Sequence, residues 1–196
     1  MTTFYKTILF IAAISGMIAG IFYFSSPQEP IKGQLPEAKE IKSFSLINSA
    51  GGSFELKNLL GKWSIISIGY THCPDICPST LNLYKLSAQL LKQDKDTQFI
   101  FISVDPKRDT PDQLNQYVKY FNPKFIGLTG SDESLRNFTR QIFASYIIPK
   151  NPPANYEVGH TTYLHIINPK AELVAILRPP FNEHNLVTTI KSLKQY

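Results

Sequence analysis

Two short runs, residues 63–70 (WSIISIGY) and 98–104 (QFIFISV), constrain the fold of this chain more than any other feature. Both are rich in β-branched and aromatic residues and are bounded by turn formers, the pattern of strands buried on both faces. Between them Leu81, Tyr84, Ala88 and Leu91 recur at helical spacing. The unit is therefore strand, helix, strand, and it needs layers on both sides of a sheet. Thr110-Pro111-Asp112-Gln113 supplies an N-cap, a proline at the first helical position and a glutamine three residues past the cap, which predicts a helix to about residue 121. A further helix fits residues 132–143. Residues 161–167 and 172–178, joined by the turn Asn168-Pro169-Lys170-Ala171, predict a hairpin, and a last helix fits residues 183–194. Alternating strands and helices closed by a hairpin give an α/β fold with a mixed parallel and antiparallel sheet.

The 196 residues suffice for one compact domain and an appendage. With 43% hydrophobic and 18% charged residues, the composition builds a core and excludes a disordered chain. The net charge is +5, but the basic residues are scattered and the only adjacent pair is Lys107-Arg108, so no stripe follows a phosphate backbone and a nucleic-acid partner is not expected.

The appendage is N-terminal. Residues 7–24 contain no charge and no histidine, with Lys6 before them and Glu29 the next charge after them. That length meets the minimum for a spanning helix of roughly 17 residues. The positive flank keeps the amino terminus on the cytoplasmic or matrix side and puts the domain in the periplasm or intermembrane space. A cleaved signal peptide fits less well, because its apolar core is about 7–15 residues and no small-x-small cleavage site follows. Gly16 and Gly20 have the spacing of helix pairs in lipid, a weak signal. The expected organisation is an anchor over residues 1–26, a linker over 27–39 and a folded domain over 40–196.

Chemistry concentrates in Tyr70-Thr71-His72-Cys73-Pro74-Asp75-Ile76-Cys77-Pro78, which holds both cysteines of the chain. The segment follows a buried strand and opens a helix, so Cys77 is expected at the N-cap, Pro78 as the first helical residue, and Cys73 in the preceding loop. A helix N-terminus favours thiolate over thiol, making both sulfurs nucleophilic and good ligands for soft metals. Three readings compete. A structural disulfide would close a loop of only five residues, worth about 2 kcal/mol. Dithiol redox chemistry is possible, although C-x-x-x-C is one residue longer than the C-x-x-C of thioredoxin-type enzymes. Metal ligation needs a third donor. Of the four histidines, His184 belongs on a solvated helix, His165 lies inside a strand as a core or interface residue, and His72 points away from its neighbour Cys73. His160 ends the polar loop over residues 149–159, just before a strand, where α/β folds place functional side chains.

The motif Tyr70–Pro78, the stretch Ser103-Val104-Asp105-Pro106-Lys107-Arg108-Asp109-Thr110-Pro111, Gly127-Leu128-Thr129-Gly130, and Val158-Gly159-His160-Thr161 with Tyr163-Leu164 closely resemble, in order and spacing, the Sco/SenC proteins. The resemblance covers the domain from about residue 40 and includes the anchor. It implies a thioredoxin-like three-layer fold with inserts and a copper site made by Cys73, Cys77 and His160. It also implies a role in building the CuA centre of cytochrome c oxidase subunit II, with an upstream copper donor and a thiol reductant as further partners. One departure stands out: family members commonly carry Asp before this histidine, where this chain has Gly159. Asp75, Asp105 and Asp109 match family positions as well, and turn formation suffices to explain the last two.

Two thiolates and an imidazole suit Cu(I) and can hold Cu(II) with an added ligand. Zinc would call for a fourth ligand or a catalytic opening with a general base, and no such motif is present. The resemblance therefore implies a copper chaperone. The rival role is a tethered thiol:disulfide oxidoreductase acting on the acceptor's cysteines through Cys73 and Cys77. A peroxiredoxin is set aside, since no proline lies between Pro36 and Pro74 to supply the P-x-x-x-T-x-x-C pattern.

Overall fold

The computed structural model describes residues 31–92, 94–151, 153 and 155–195, together with residues 5, 8, 12, 14–17 and 20, which are helical. Most of the run read as a membrane anchor lies outside the described residues. Among the described residues no helix is long and apolar enough to cross a membrane.

From Ile31 onward the chain forms a single compact unit. In order it comprises β1 (Gln34–Glu40), β2 (Ser45–Asn48), β3 (Ser53–Glu55), β4 (Trp63–Gly69), α1 (Ile76–Leu90), β5 (Thr97–Ser103), α2 (Pro111–Phe121) and β6 (Ile126–Thr129). There follow α3 (Asp132–Gln141), β7 (Tyr146–Ile147), β8 (Gly159–His160), β9 (Leu164–Ile167), β10 (Glu172–Leu177) and α4 (Glu183–Leu193). Eight strands make one sheet in the order β1-β10-β9-β4-β5-β6-β2-β3, while β7 and β8 pair separately. The pairs β4/β5 and β5/β6 are parallel and the rest antiparallel, so the sheet is mixed as expected.

The central strands behave as their composition requires. β4, β5 and β9 are buried almost throughout, whereas β10, nearer the edge, alternates between buried and half-buried. Ile65, Ile66, Ile100, Leu81 and Tyr84 are completely buried, and Tyr84, Phe99 and Phe125 form an aromatic cluster under α1. Each such side chain contributes about 1.5–3 kcal/mol relative to exposure, so this centre holds the ends of β4 and β5 in fixed register. Helix starts follow the expected chemistry. Thr110 accepts from the Gln113 N–H while the Gln113 side chain returns to the Thr110 backbone, and Ser131 and Asn182 cap α3 and α4 by accepting from the Ser134 and Asn185 N–H.

Three boundaries differ from the sequence reading. Residues 34–39, assigned there to a linker, form the edge strand β1, paired with β10 at Gln34/Ala175 and Lys39/Leu173. The strand is exposed along almost its whole length, so it leaves no alternation to read and is held by backbone pairing. Helix α3 stops at Gln141 because the chain reverses at Phe143, with φ of 56°. The strand expected over residues 161–167 is shorter: only Leu164–Ile167 joins the main sheet, residues 161–163 lie outside any strand, and His160 before them belongs to the small ribbon β7–β8.

Candidate metal centre

Strand β4 ends at Gly69, residues 70–75 turn outward, and α1 begins at Ile76. The helix starts one residue before Cys77, which corrects the expectation that Cys77 is the N-cap: Asp75 holds that position, and Cys77 is the second residue of the helix. Its sulfur therefore faces inward. Cys77 is 2% exposed and Cys73 8%, and both are free thiols. Gly69 makes room for them, since a methyl group there would stand 2.5 Å from Cys77 Sγ and 2.9 Å from the Phe101 ring. Burial pushes the Cys77 thiol above its ordinary range, reinforced by hydrogen bonding to Cys73, while a hydrogen bond from the Tyr70 backbone works the other way. The expected activation of Cys77 by the helix end is thus overturned by desolvation.

His160 comes from the far side of the chain. Its strand β8 pairs with β7, Tyr146 opposite His160 and Ile147 opposite Gly159. That pairing turns the imidazole toward the sulfurs: Nε2 lies 3.7 Å from Cys77 Sγ, across 83 positions of sequence. Nδ1 is 3.1 Å from the Thr161 carbonyl oxygen, which can only accept, so Nδ1 carries the proton and Nε2 presents its lone pair. Burial holds the imidazole below the usual histidine range and keeps it neutral. One donor atom from each of Cys73, Cys77 and His160 lies within 4.8 Å of the other two. Metal–sulfur and metal–nitrogen bonds of about 2.3 and 2.0–2.1 Å put trigonal donors about 3.8 Å apart, so the Cys77–His160 spacing fits a shared ion.

The remaining histidines stay apart from this cluster. His72 is exposed, with Nδ1 3.5 Å from Asp109 Oδ1. His165 is fully buried in the main sheet between Ile66 and Ile176, pushed down to about 4 by burial. His184 is exposed beside Glu183. Asp75 is exposed at the mouth of the thiol loop. The other two acids are more than turn formers, since both are 0% exposed. Asp109 accepts from the Thr71 N–H at 2.8 Å, from Thr71 Oγ1 at 2.5 Å and from Ser103 Oγ at 2.5 Å, which fastens the thiol loop to the end of β5. Asp105 accepts from Arg108 Nε at 2.5 Å and from Tyr156 Oη at 2.6 Å. Sequence reasoning did not single out Arg108 and Tyr156. Arg108 could have been noticed as a cation between two acids, whereas Tyr156 sits in a polar loop without any pattern.

The family profile for SCO1/SenC matches residues 32–195. The chain belongs to the SCO1/SenC family. It is 37% identical over 156 residues to the mitochondrial SCO1 homolog 1 of Arabidopsis thaliana, covering 78% of this chain but 47% of that protein, so the chain spans about half of that relative. The SCO2-like protein of Rickettsia prowazekii is 36% identical over 160 residues, 78% of each chain. Among solved structures, Arabidopsis thaliana ScoI with copper bound superposes with a TM-score of 0.73 at 37% identity, covering 79% of this chain and 98% of that one. A further solved structure with a TM-score of 0.64, BsSco, is described as a member of the Sco family of cytochrome c oxidase assembly proteins; at 24% identity it supports the fold. This SCO1/SenC member therefore has the thioredoxin-like mixed α/β fold of those structures.

Proposed function

We propose that this protein is a copper chaperone whose cargo is held by Cys73, Cys77 and His160. The observation that carries this reading is the approach of an unprotonated imidazole nitrogen to a buried sulfur at 3.7 Å. Two soft sulfurs and one imidazole match Cu(I), with Cu(II) held when a further ligand joins. Binding converts two thiols to thiolates and releases their protons, a step that the metal itself drives. Delivery is stepwise ligand exchange, in which cysteines of the CuA site of cytochrome c oxidase subunit II replace the three donors one at a time. The protein receives copper from an upstream donor and needs a thiol reductant, because a Cys73–Cys77 disulfide has no thiolate left to bind metal.

Residues 7–24 serve as a single membrane anchor, with the amino terminus on the cytoplasmic or matrix side and the domain in the periplasm or intermembrane space. This rests on 18 uncharged residues behind Lys6. Resistance of the full-length chain to alkaline extraction from membranes checks it, and release into the soluble fraction would remove it.

A second reading, reduction of the acceptor's cysteines, is favoured by the two free sulfurs lying within 4.8 Å. In it, the two thiols close to a disulfide and pass two electrons and two protons to a partner disulfide. Against it, attack needs a thiolate near neutral pH, and burial pushes the Cys77 thiol up. The readings separate at His160. Competition titration of the reduced full-length chain with Cu(I) should show His160→Ala binding at least about tenfold more weakly, that is about 1.4 kcal/mol. Unchanged affinity would eliminate the third ligand and leave sulfur exchange as the better account.

A further inference from the structure

The stretch of residues 103–109 carries none of the three donors, yet it touches both parts of the chain that do. Asp109 grips the thiol loop. Asp105, four residues earlier, and Arg108, one residue earlier, reach the opposite way, toward the arm that ends in His160. Arg108 is 16% exposed and two of its three guanidinium nitrogens are engaged: Nε donates to Asp105 Oδ2 at 2.5 Å and Nη1 donates to the Tyr156 carbonyl oxygen at 2.9 Å. The same plane stacks 3.5 Å from the Tyr156 ring centroid. Tyr156 Oη donates at 2.6 Å to the other oxygen of Asp105, closing a ring of three residues across 51 positions.

The arm has other moorings. At and beyond His160 it is held by the pairing of β7 with β8 and by Thr161, whose N–H donates to the Ser145 carbonyl at 3.0 Å. Before His160, Val158 is buried in the core, and Tyr156 is tied down through its carbonyl to Arg108 and through its hydroxyl to Asp105. The imidazole is therefore held from both sides, and Arg108 with Asp105 supplies the polar attachment before it. Tyr70 completes the link. Its ring lies 5.5 Å from the Arg108 guanidinium and meets the His160 ring edge-on at 5.9 Å, three residues before Cys73.

We propose that Arg108, anchored on Asp105, is a positioning residue that holds the histidine arm at bonding distance from the two sulfurs. It touches neither sulfur nor imidazole, and acts through Tyr156 and Tyr70. A lysine cannot replace it, because a single ammonium cannot bond a carboxylate, bond a carbonyl and stack on a ring at once. The consequence for copper rests on the chaperone reading above, so the test has an arm that does not involve metal.

Hydrogen exchange of the reduced, metal-free full-length chain should show amides of residues 156–161 exchanging about tenfold faster or more in Arg108→Ala, with those of β4 and β5 unchanged. Arg108→Lys should behave like the alanine variant. If loss of the buried partner unfolds the chain, Tyr156→Phe keeps the stacked ring, removes one hydrogen bond to Asp105, and should give a smaller increase confined to the same amides. In Cu(I) competition, Arg108→Ala should bind about 10–100-fold more weakly than wild type. In a His160→Ala background the same substitution should change affinity by less than about twofold, which a general loss of stability would not produce. Unchanged exchange in Arg108→Ala or Tyr156→Phe would overturn the proposal, as would a full copper loss persisting in the His160→Ala background. Faster exchange with wild-type copper affinity would overturn the positioning role. A wild-type chain that failed to bind copper would sink the chaperone reading alone, and the exchange data would still decide whether Arg108 holds the arm.

Discussion

The two halves of the candidate metal centre are built to different standards of rigidity. The sulfurs stand at the end of β4, a strand paired on both sides within the eight-stranded sheet, and their loop is fastened to buried Asp109. The imidazole stands on a ribbon of two short strands outside that sheet, pinned by the Arg108 link. One half is a floor that shares the stability of the central sheet, and the other is an arm attached by a few hydrogen bonds and by the buried side chains of Tyr146 and Val158. On the chaperone reading proposed above, retention of copper would belong to the floor, and the timing of its release to the arm.

The largest effect expected is on the floor. Cys77→Ser should weaken Cu(I) binding by more than about a thousandfold, measured by competition titration, since a hard hydroxyl replaces a soft thiolate. A milder result than His160→Ala would reverse the assignment of roles. Next comes Asp109→Ala, which strands the Thr71 N–H and the Ser103 hydroxyl and should cost about 3 kcal/mol in a denaturant melt. An equal cost from truncating Tyr156 would erase the contrast between the halves. The pH dependence sharpens it further. Because burial raises the Cys77 thiol, the metal-free protein keeps that proton through neutral pH and copper must expel it. Affinity should therefore rise about tenfold per pH unit for this proton, and fall equally on acidification. His160→Ala should leave that slope in place, since the imidazole is already neutral there. The smallest effect is at Gly159, where an added Cβ meets nothing closer than the Ile147 carbonyl oxygen at 4.0 Å. Gly159→Asp should leave stability within about 0.5 kcal/mol and slow copper release severalfold by adding a carboxylate beside the histidine.

The central sheet was legible because burial on both faces leaves a continuous apolar run, as in β4 and β5. The capping box at Thr110 was legible for a similar reason, since its chemistry is local. What the sequence hid depends on backbone pairing or on long-range contacts. β1 is an exposed strand held by β10, and the ribbon carrying His160 is two residues wide. From spacing alone His160 was one candidate among four histidines, and it was selected by the resemblance to a family. Helix polarity suggested an activated Cys77, but this residue alone of the first turn of α1 is buried, and desolvation outweighs the favourable end of the helix. The two acids read as turn formers do turn the chain, as the Asp109 N–H bond to the Asp105 carbonyl shows. Each carboxylate, besides a near partner, also holds one more than thirty positions away, Thr71 for Asp109 and Tyr156 for Asp105, which periodicity does not report.

Gly69 leaves no margin beside the sulfur. Cys77 Sγ and the Phe101 ring fill the space that any side chain at that position would need, so even one methyl would have to displace the sulfur or the ring. On the chaperone reading proposed above, a residue that bears no donor atom thus sets where one donor can stand.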